Sequence, residues 1–213
     1  MIHFRRVHDI SVILGRESVS WPGDPPYERK LISSIDEGRA STVSVISMST
    51  HIGTHLDTPA HFLAGARGLD TYKPADFILP AVVVDVEDAP AVTAKMVKDA
   101  QPPGGGAILF RTTNSTGKRI ASGEFFKDGV HLLPEAAQAC VDHQVRLVGI
   151  DYFTIDAFGC DGFPVHKILL SAGILVLETI NLLHVRQGGY TLICLPLRLA
   201  GAEASPVRAV LLE

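Results

Sequence analysis

Six short apolar runs constrain this 213-residue chain more than anything else in it: "VSVISMST", "AVVVDVE" (Ala81 to Glu87), "GAILFRT", "VRLVGIDYF", "GILVLET" and "YTLICLPL". Each is about one strand long, rich in β-branched residues, and bounded by glycine, proline or charge, which predicts strands. Between them lie helical patterns: "TAKMVKDAQ" from Thr93, "LPEAAQACVDHQ" with Pro134 in its first turn, and "VHKILLSAG", stopped by Gly173. Strand runs alternating with short helices predict a mixed α/β architecture with a layer of helices packed on sheet. "SWPGDPPY" and "QPPGGG" read as loops, because proline brings no amide to a ladder and glycine supplies positive φ. There is no repeat, linker or low-complexity tract, and 213 residues suffice for one substantial core but hardly for two, so one domain spanning 1–213 is expected.

Composition narrows the function classes. Apolar residues make up 46% and charged residues 20%, a globular balance on the hydrophobic side, with room for a subunit interface. Nineteen lysines and arginines against 23 acidic residues give a formal charge of -4, so no basic stripe invites nucleic acid. No apolar segment approaches the roughly 18 to 20 residues of a membrane span. The N-terminus "MIHFRRVHDISVILG" lacks the pattern of a cleaved leader, so a cytoplasmic location is expected. Cys140, Cys160 and Cys194 are odd in number and far apart, which predicts reduced, packed thiols rather than a disulfide framework. "TNSTGKR" fails as a phosphate loop, since it lacks the upstream glycine and has Arg119 after the lysine.

One stretch carries concentrated chemistry. "HIGTHLDTPAHF", His51 to Phe62, holds three histidines and an aspartate. If the strand from Val43 continues through it, the even positions Ile46, Met48, Ile52 and Leu56 face the core, and His51, Gly53, His55 and Asp57 share the other face. In a straight strand His51 and His55 would stand about 13 Å apart at roughly 3.3 Å per residue, too far for one metal, so the chain is expected to bend at Gly53. Imidazole with carboxylate suits zinc, manganese or iron rather than calcium or magnesium. His61, beyond the turn at Pro59, is a further ligand or an acid/base group. The next donors in a comparable setting are His166, at the start of the third helix, and Glu178, after an apolar run where a lone carboxylate is costly to bury. His3, His8, His131, His143 and His184 read as surface or structural.

These residues resemble a known family. "HIGTHLDTPAHF" matches the HxGTHxDxPxHF signature of the cyclase family, whose best-characterised members are bacterial kynurenine formamidases and to which isatin hydrolases are related. The resemblance continues through "SWPGDPP", "RLVGIDYFTID", His166 with Glu178, and "LPLRLAGAEASPVRAVLL", so it spans nearly the whole chain. It implies a three-layer β/β/α sandwich and a homodimer or higher homo-oligomer. It also implies two divalent metal ions, zinc first and manganese second, with His51 and His55 on one, Asp57 bridging, and His166 and Glu178 completing the pair. In the same resemblance His61 moves protons and Trp21 lines the substrate pocket. There are departures: Lys167 follows His166 where a second histidine is common, and Tyr152 and Phe153 stand after "GID", in the expected pocket wall.

The activity implied is a metal-dependent amidohydrolase cleaving a small aryl amide, N-formylkynurenine to kynurenine and formate before others. Opening of a cyclic amide such as isatin, with manganese, is the alternative within hydrolysis. A non-hydrolytic metal-binding protein is the alternative outside it.

Overall fold

The computed structural model describes residues 4–213, so His3 lies outside the described residues. In chain order the elements are β1 (Val7–Asp9), β2 (Glu28–Ser33), β3 (Val43–Ser47), β4 (His55–Asp57), β5 (Ile78–Asp85), β6 (Ala91–Val92), α1 (Ala94–Ala100), β7 (Ala107–Arg111), α2 (Thr113–Thr116), β8 (His131–Leu132), α3 (Pro134–Asp142), β9 (Leu147–Ile150), α4 (Pro164–Ser171), β10 (Leu175–Glu178), β11 (Gly188–Ile193), β12 (Ala204–Pro206) and β13 (Val210–Leu212). Nine strands form one sheet in the order β1-β13-β11-β5-β7-β9-β10-β4-β12. Its middle, β5-β7-β9-β10, is parallel throughout. Parallel strands are covered on both faces, which is why these segments read as unbroken apolar runs rather than alternating ones.

The two faces of that middle serve two cores. Ile108, Phe110, Val148, Ile150 and Val176 face the helices, where Val97, Ala136, Cys140, Leu169 and Leu170 pack on them. Ala107, Leu109, Leu147, Leu175 and Leu177 point the other way, into a core that contains no residue of α1–α4. Its opposite wall is the sheet itself, through Leu192 and Cys194 around β11, Leu211 of β13, and Ile10, Val207 and Ala209. The sheet therefore curls back on itself: Ser11, after β1, bridges Ile180, after β10, and Pro196, after β11, bridges Val207, after β12. Two sheet layers around one core, with helices outside, make the β/β/α arrangement. Truncating Phe110, fully buried between helices and sheet, would cost about 3–5 kcal/mol.

The expected strands and helices appear, with one correction that matters. The segment 43–57 is two strands in two different sheets, not one bent strand. β3 pairs only with β2, in a separate hairpin, while β4 joins the large sheet. Gly53 has φ +63, a left-handed conformation that no strand contains, so the chain turns there instead of bending. Ile52 and Leu56 are buried as expected, but Ile46, placed on the core face by alternation, is 54% exposed. Tyr152 is a second correction. It is buried in the helix-side core with its hydroxyl donating to Phe126 O at 3.0 Å, while Phe153 alone of the pair reaches the pocket. Cys140 and Cys194 are buried in the two cores, and burial pushes both thiols up to about 12, as inert packing residues require.

Candidate metal centre

The centre is built around β4, which runs antiparallel between β10 and β12. Alternation along its three residues sends Leu56 into the inner core and leaves His55 and Asp57 on the helix side. Glu178 lies directly across from His55 in the β10 register, so its carboxylate reaches the same face. α4 sets His166 over that face from its first turn. His51 arrives from the turn before β4, and His61 ends the single helical turn Pro59–His61 after it. All six predicted side chains thus converge, from four separate elements and a turn.

The distances are those of a ligand cluster. His51 Nδ1 lies 3.0 Å from Asp57 Oδ1 and His55 Nε2 3.6 Å from it; His55 Nε2 is 3.4 Å from Glu178 Oε2. His166 Nε2 is 3.1 Å from Glu178 Oε1 and 3.6 Å from Asp57 Oδ2. Donor atoms of His55, Asp57 and Glu178 fall within 4.8 Å of one another, and so do those of His51, Asp57 and His61. The rings of His51 and His61 stand 4.1 Å apart. Asp57 belongs to both groups.

The residues fit divalent ions on this chain's own chemistry. His55 Nε2 and both Asp57 oxygens are buried without a hydrogen-bond partner, an arrangement that costs several kcal/mol unless something binds them. The outer nitrogens are already committed. His55 Nδ1 donates to Gly53 O at 2.8 Å and His166 Nδ1 to Asp156 Oδ2 at 2.6 Å. A carbonyl or carboxylate oxygen only accepts, so each Nδ1 carries a proton and each Nε2 faces the cluster, where it offers a lone pair once its own proton is displaced. His51 Nε2 meets Glu203 Oε1 at 3.2 Å, which likewise frees its Nδ1 for the inside.

Electrostatics point the same way. Burial opposes charge on His55, but the carboxylates of Asp57 and Glu178 outweigh it and lift its pKa to about 9. Burial works against the ionised form of Asp57 too, yet His55, His166 and His51 hold its carboxyl well below the usual range. A buried face that stabilises this much cationic charge is one a metal ion can occupy in place of protons. His61 differs: burial, helped by His51 and His166 and opposed by Asp57 and Glu178, lowers it to about 4, so it is neutral at pH 7.

Asp156 and Glu203 escaped the sequence reading. Asp156 accepts from the amides of Val165 and His166 at 2.8 and 3.0 Å while orienting the His166 ring, so one carboxylate caps α4 and aims its ligand. Its position ten residues before His166 follows no local spacing. Thr179, beside Glu178, has φ +56, an outlier for a β-branched residue that marks stored strain next to the cluster. It is held by its amide donating to Tyr152 O at 2.8 Å and its carbonyl accepting from the Thr54 hydroxyl at 2.6 Å.

Above the cluster opens a cavity of about 280 Å³, walled by Trp21, Asp24, Phe62, Phe153 and Phe163. Trp21 is placed by a type II turn over "WPGD": the Asp24 amide donates to Trp21 O at 2.9 Å, and Gly23 takes φ +101.

Residues 8–157 match the family described as "Putative cyclase". A kynurenine formamidase of Bacillus cereus is 34% identical over 95% of both chains, and one of Salinibacter ruber is 33% identical over 95% of both. Among solved structures, that of a predicted metal-dependent hydrolase from Bacillus stearothermophilus is 29% identical, covers 97% of each chain and has a TM-score of 0.82. Isatin hydrolase A from Labrenzia aggregata, 24% identical over 97% of this chain and 93% of that one, shares the fold with a TM-score of 0.83. Fold and site together define a metal-dependent hydrolase. The chain belongs to the cyclase family.

Proposed function

We propose that the chain is an amidohydrolase of small aryl amides, with N-formylkynurenine as substrate and kynurenine and formate as products. The observation that carries this is the buried cluster with orphaned ligand atoms opening directly into an aromatic-walled cavity. His51, His55, Asp57, His166 and Glu178 would hold two divalent ions between them, with Asp57 common to both, zinc before manganese. Such ions supply electrophilic activation of the amide carbonyl and of water. Trp21, with Phe62 and Phe163, packs on the aryl ring and excludes solvent from the reacting bond. His61, neutral at pH 7, takes a proton from the attacking water and delivers it to the aryl nitrogen as the C–N bond breaks, leaving formate and the free amine. Asp156 keeps His166 in the ligand tautomer.

The kynurenine formamidase relatives, similar along nearly the whole length, favour the formamide over ring opening of isatin, whose hydrolases share the fold at lower identity. We place the enzyme in the cytoplasm; among the described residues no helix is long and apolar enough to cross a membrane. We also assign it a homodimer, supported by the apolar β2-β3 hairpin, on which Leu31, Ile32, Val43, Val45 and Ile46 are all exposed.

The deciding experiment pairs turnover with metal analysis. Wild type should release formate from N-formylkynurenine and contain one to two equivalents of zinc or manganese. His61→Ala should keep its metal and lose rate by about 10² to 10⁴. Loss of metal together with rate would make His61 a ligand instead, and wild type inert toward the formamide but active on isatin would replace the substrate.

A further inference from the structure

The cavity is lined by two carboxylates in different settings. Glu178 belongs to the histidine–carboxylate cluster, but Asp24 also lines the cavity, and among the described residues it is the only carboxylate there outside the cluster. Among the described residues no lysine or arginine lines the cavity. Asp24 is half-buried, and its Oδ2 accepts from the Ser49 hydroxyl at 3.1 Å. Among the described residues no other side chain bonds its carboxylate, so one oxygen is left for a ligand. The turn that places Asp24 also places Trp21, whose ring lies 5.3 Å from Phe158 and 5.8 Å from Phe125. A carboxylate beside an aromatic face, in a cavity lined by neither lysine nor arginine among the described residues, is the environment that selects an ammonium group: the carboxylate accepts its protons and the ring face attracts its charge.

We propose that Asp24 is a specificity-determining residue that binds an ammonium group carried on the aryl substrate. This rests on reading the cavity as an aryl-amide site. The turn shared by Asp24 and Trp21 lets the carboxylate meet the ammonium while the indole packs on the substrate ring. N-formylkynurenine has an α-ammonium on the side chain next to its formamide, whereas isatin has none, so Asp24 chooses between the two.

Trp21 is the only tryptophan in the chain, so quenching of its fluorescence reports occupancy of this cavity. Metal-loaded full-length protein would be titrated with 2-phenylethylammonium and with 2-phenylethanol, which differ in charge but not in ring. Wild type should bind the ammonium about tenfold more tightly, and raising the salt concentration should erode that preference. Asp24→Asn should abolish the preference and Asp24→Glu should retain part of it. Equal binding of both ligands by wild type, or a preference that survives in Asp24→Asn, would overturn the assignment. With N-formylkynurenine and 2-formamidoacetophenone as substrates, Asp24→Asn should raise KM about tenfold more for the first than for the second. An unchanged ratio with both formamides hydrolysed removes Asp24 and leaves the formamidase reading intact. Hydrolysis of neither, with the ammonium preference preserved, removes that reading and leaves Asp24.

Discussion

At the residue scale, the centre is a set of imidazoles whose tautomers are fixed from behind. His55 rests on a backbone carbonyl and His166 on Asp156, so their Nε2 atoms are aimed before any ion arrives. In metal-free protein the cost of two buried carboxylates is met by protons, and His55 holds its proton up to about pH 9 instead of the ordinary 6.5. Because the folded pKa is the higher one, this proton stabilises the metal-free fold fully below pH 6.5, and the contribution is lost as pH rises through 9. Metal must displace the same proton. The melting temperature of chelator-treated protein should therefore fall between pH 6.5 and 9, while apparent affinity for zinc rises over the same window. Melting that is flat across this range would show that His55 is not the proton holder.

At the scale of elements, the turn between β3 and β4 decides whether the ligands meet. Gly53 combines φ +63 with a crowded site: a Cβ there would lie 2.6 Å from Leu14 Cδ2, and its carbonyl holds the His55 ring. Gly53→Ala should lower stability by about 1–3 kcal/mol and reduce bound metal, because His51 and His55 sit on either side of the displaced backbone. Chemical denaturation and metal analysis on the same sample test this; unchanged stability with full metal would mean the turn accommodates a side chain. The sequence showed that a straight strand could not bring these histidines together. It did not show that the solution was a break between two sheets.

For the whole molecule, the curled sheet covers its own inner core, and the helices cover the outer face of its middle. The β2-β3 hairpin is left over, paired with nothing else in the sheet order and apolar on its surface. A two-stranded hairpin is marginal on its own in water, and a second copy of the chain would bury this one. Sedimentation should give a dimer for wild type, and Ile46→Glu should shift it toward monomer. A monomeric wild type would remove the dimer proposal. This is also where alternation misled: Ile46 was assigned to the core because pattern reports that a face is buried without saying against what.

By itself the sequence determined the local terms. Strand and helix runs follow from side-chain period and from where glycine and proline interrupt it, so β5, β7, β9, β10 and the helices α1, α3 and α4 were legible. The cluster's members were legible too, because His51, His55, Asp57 and His61 are crowded into eleven residues, and Glu178 ends an apolar strand where a carboxylate needs a partner. What only the tertiary structure decided depends on contacts between distant segments. The short strands β1, β12 and β13 have no strong pattern of their own and exist because the curled sheet offers them ladders. Residues 166 and 178 come to β4 through strand register and helix docking, and Asp156, Glu203 and Asp24 gain roles only from the neighbours that folding gives them. A ligand's identity is a property of its side chain, but its aim is a property of everything packed behind it.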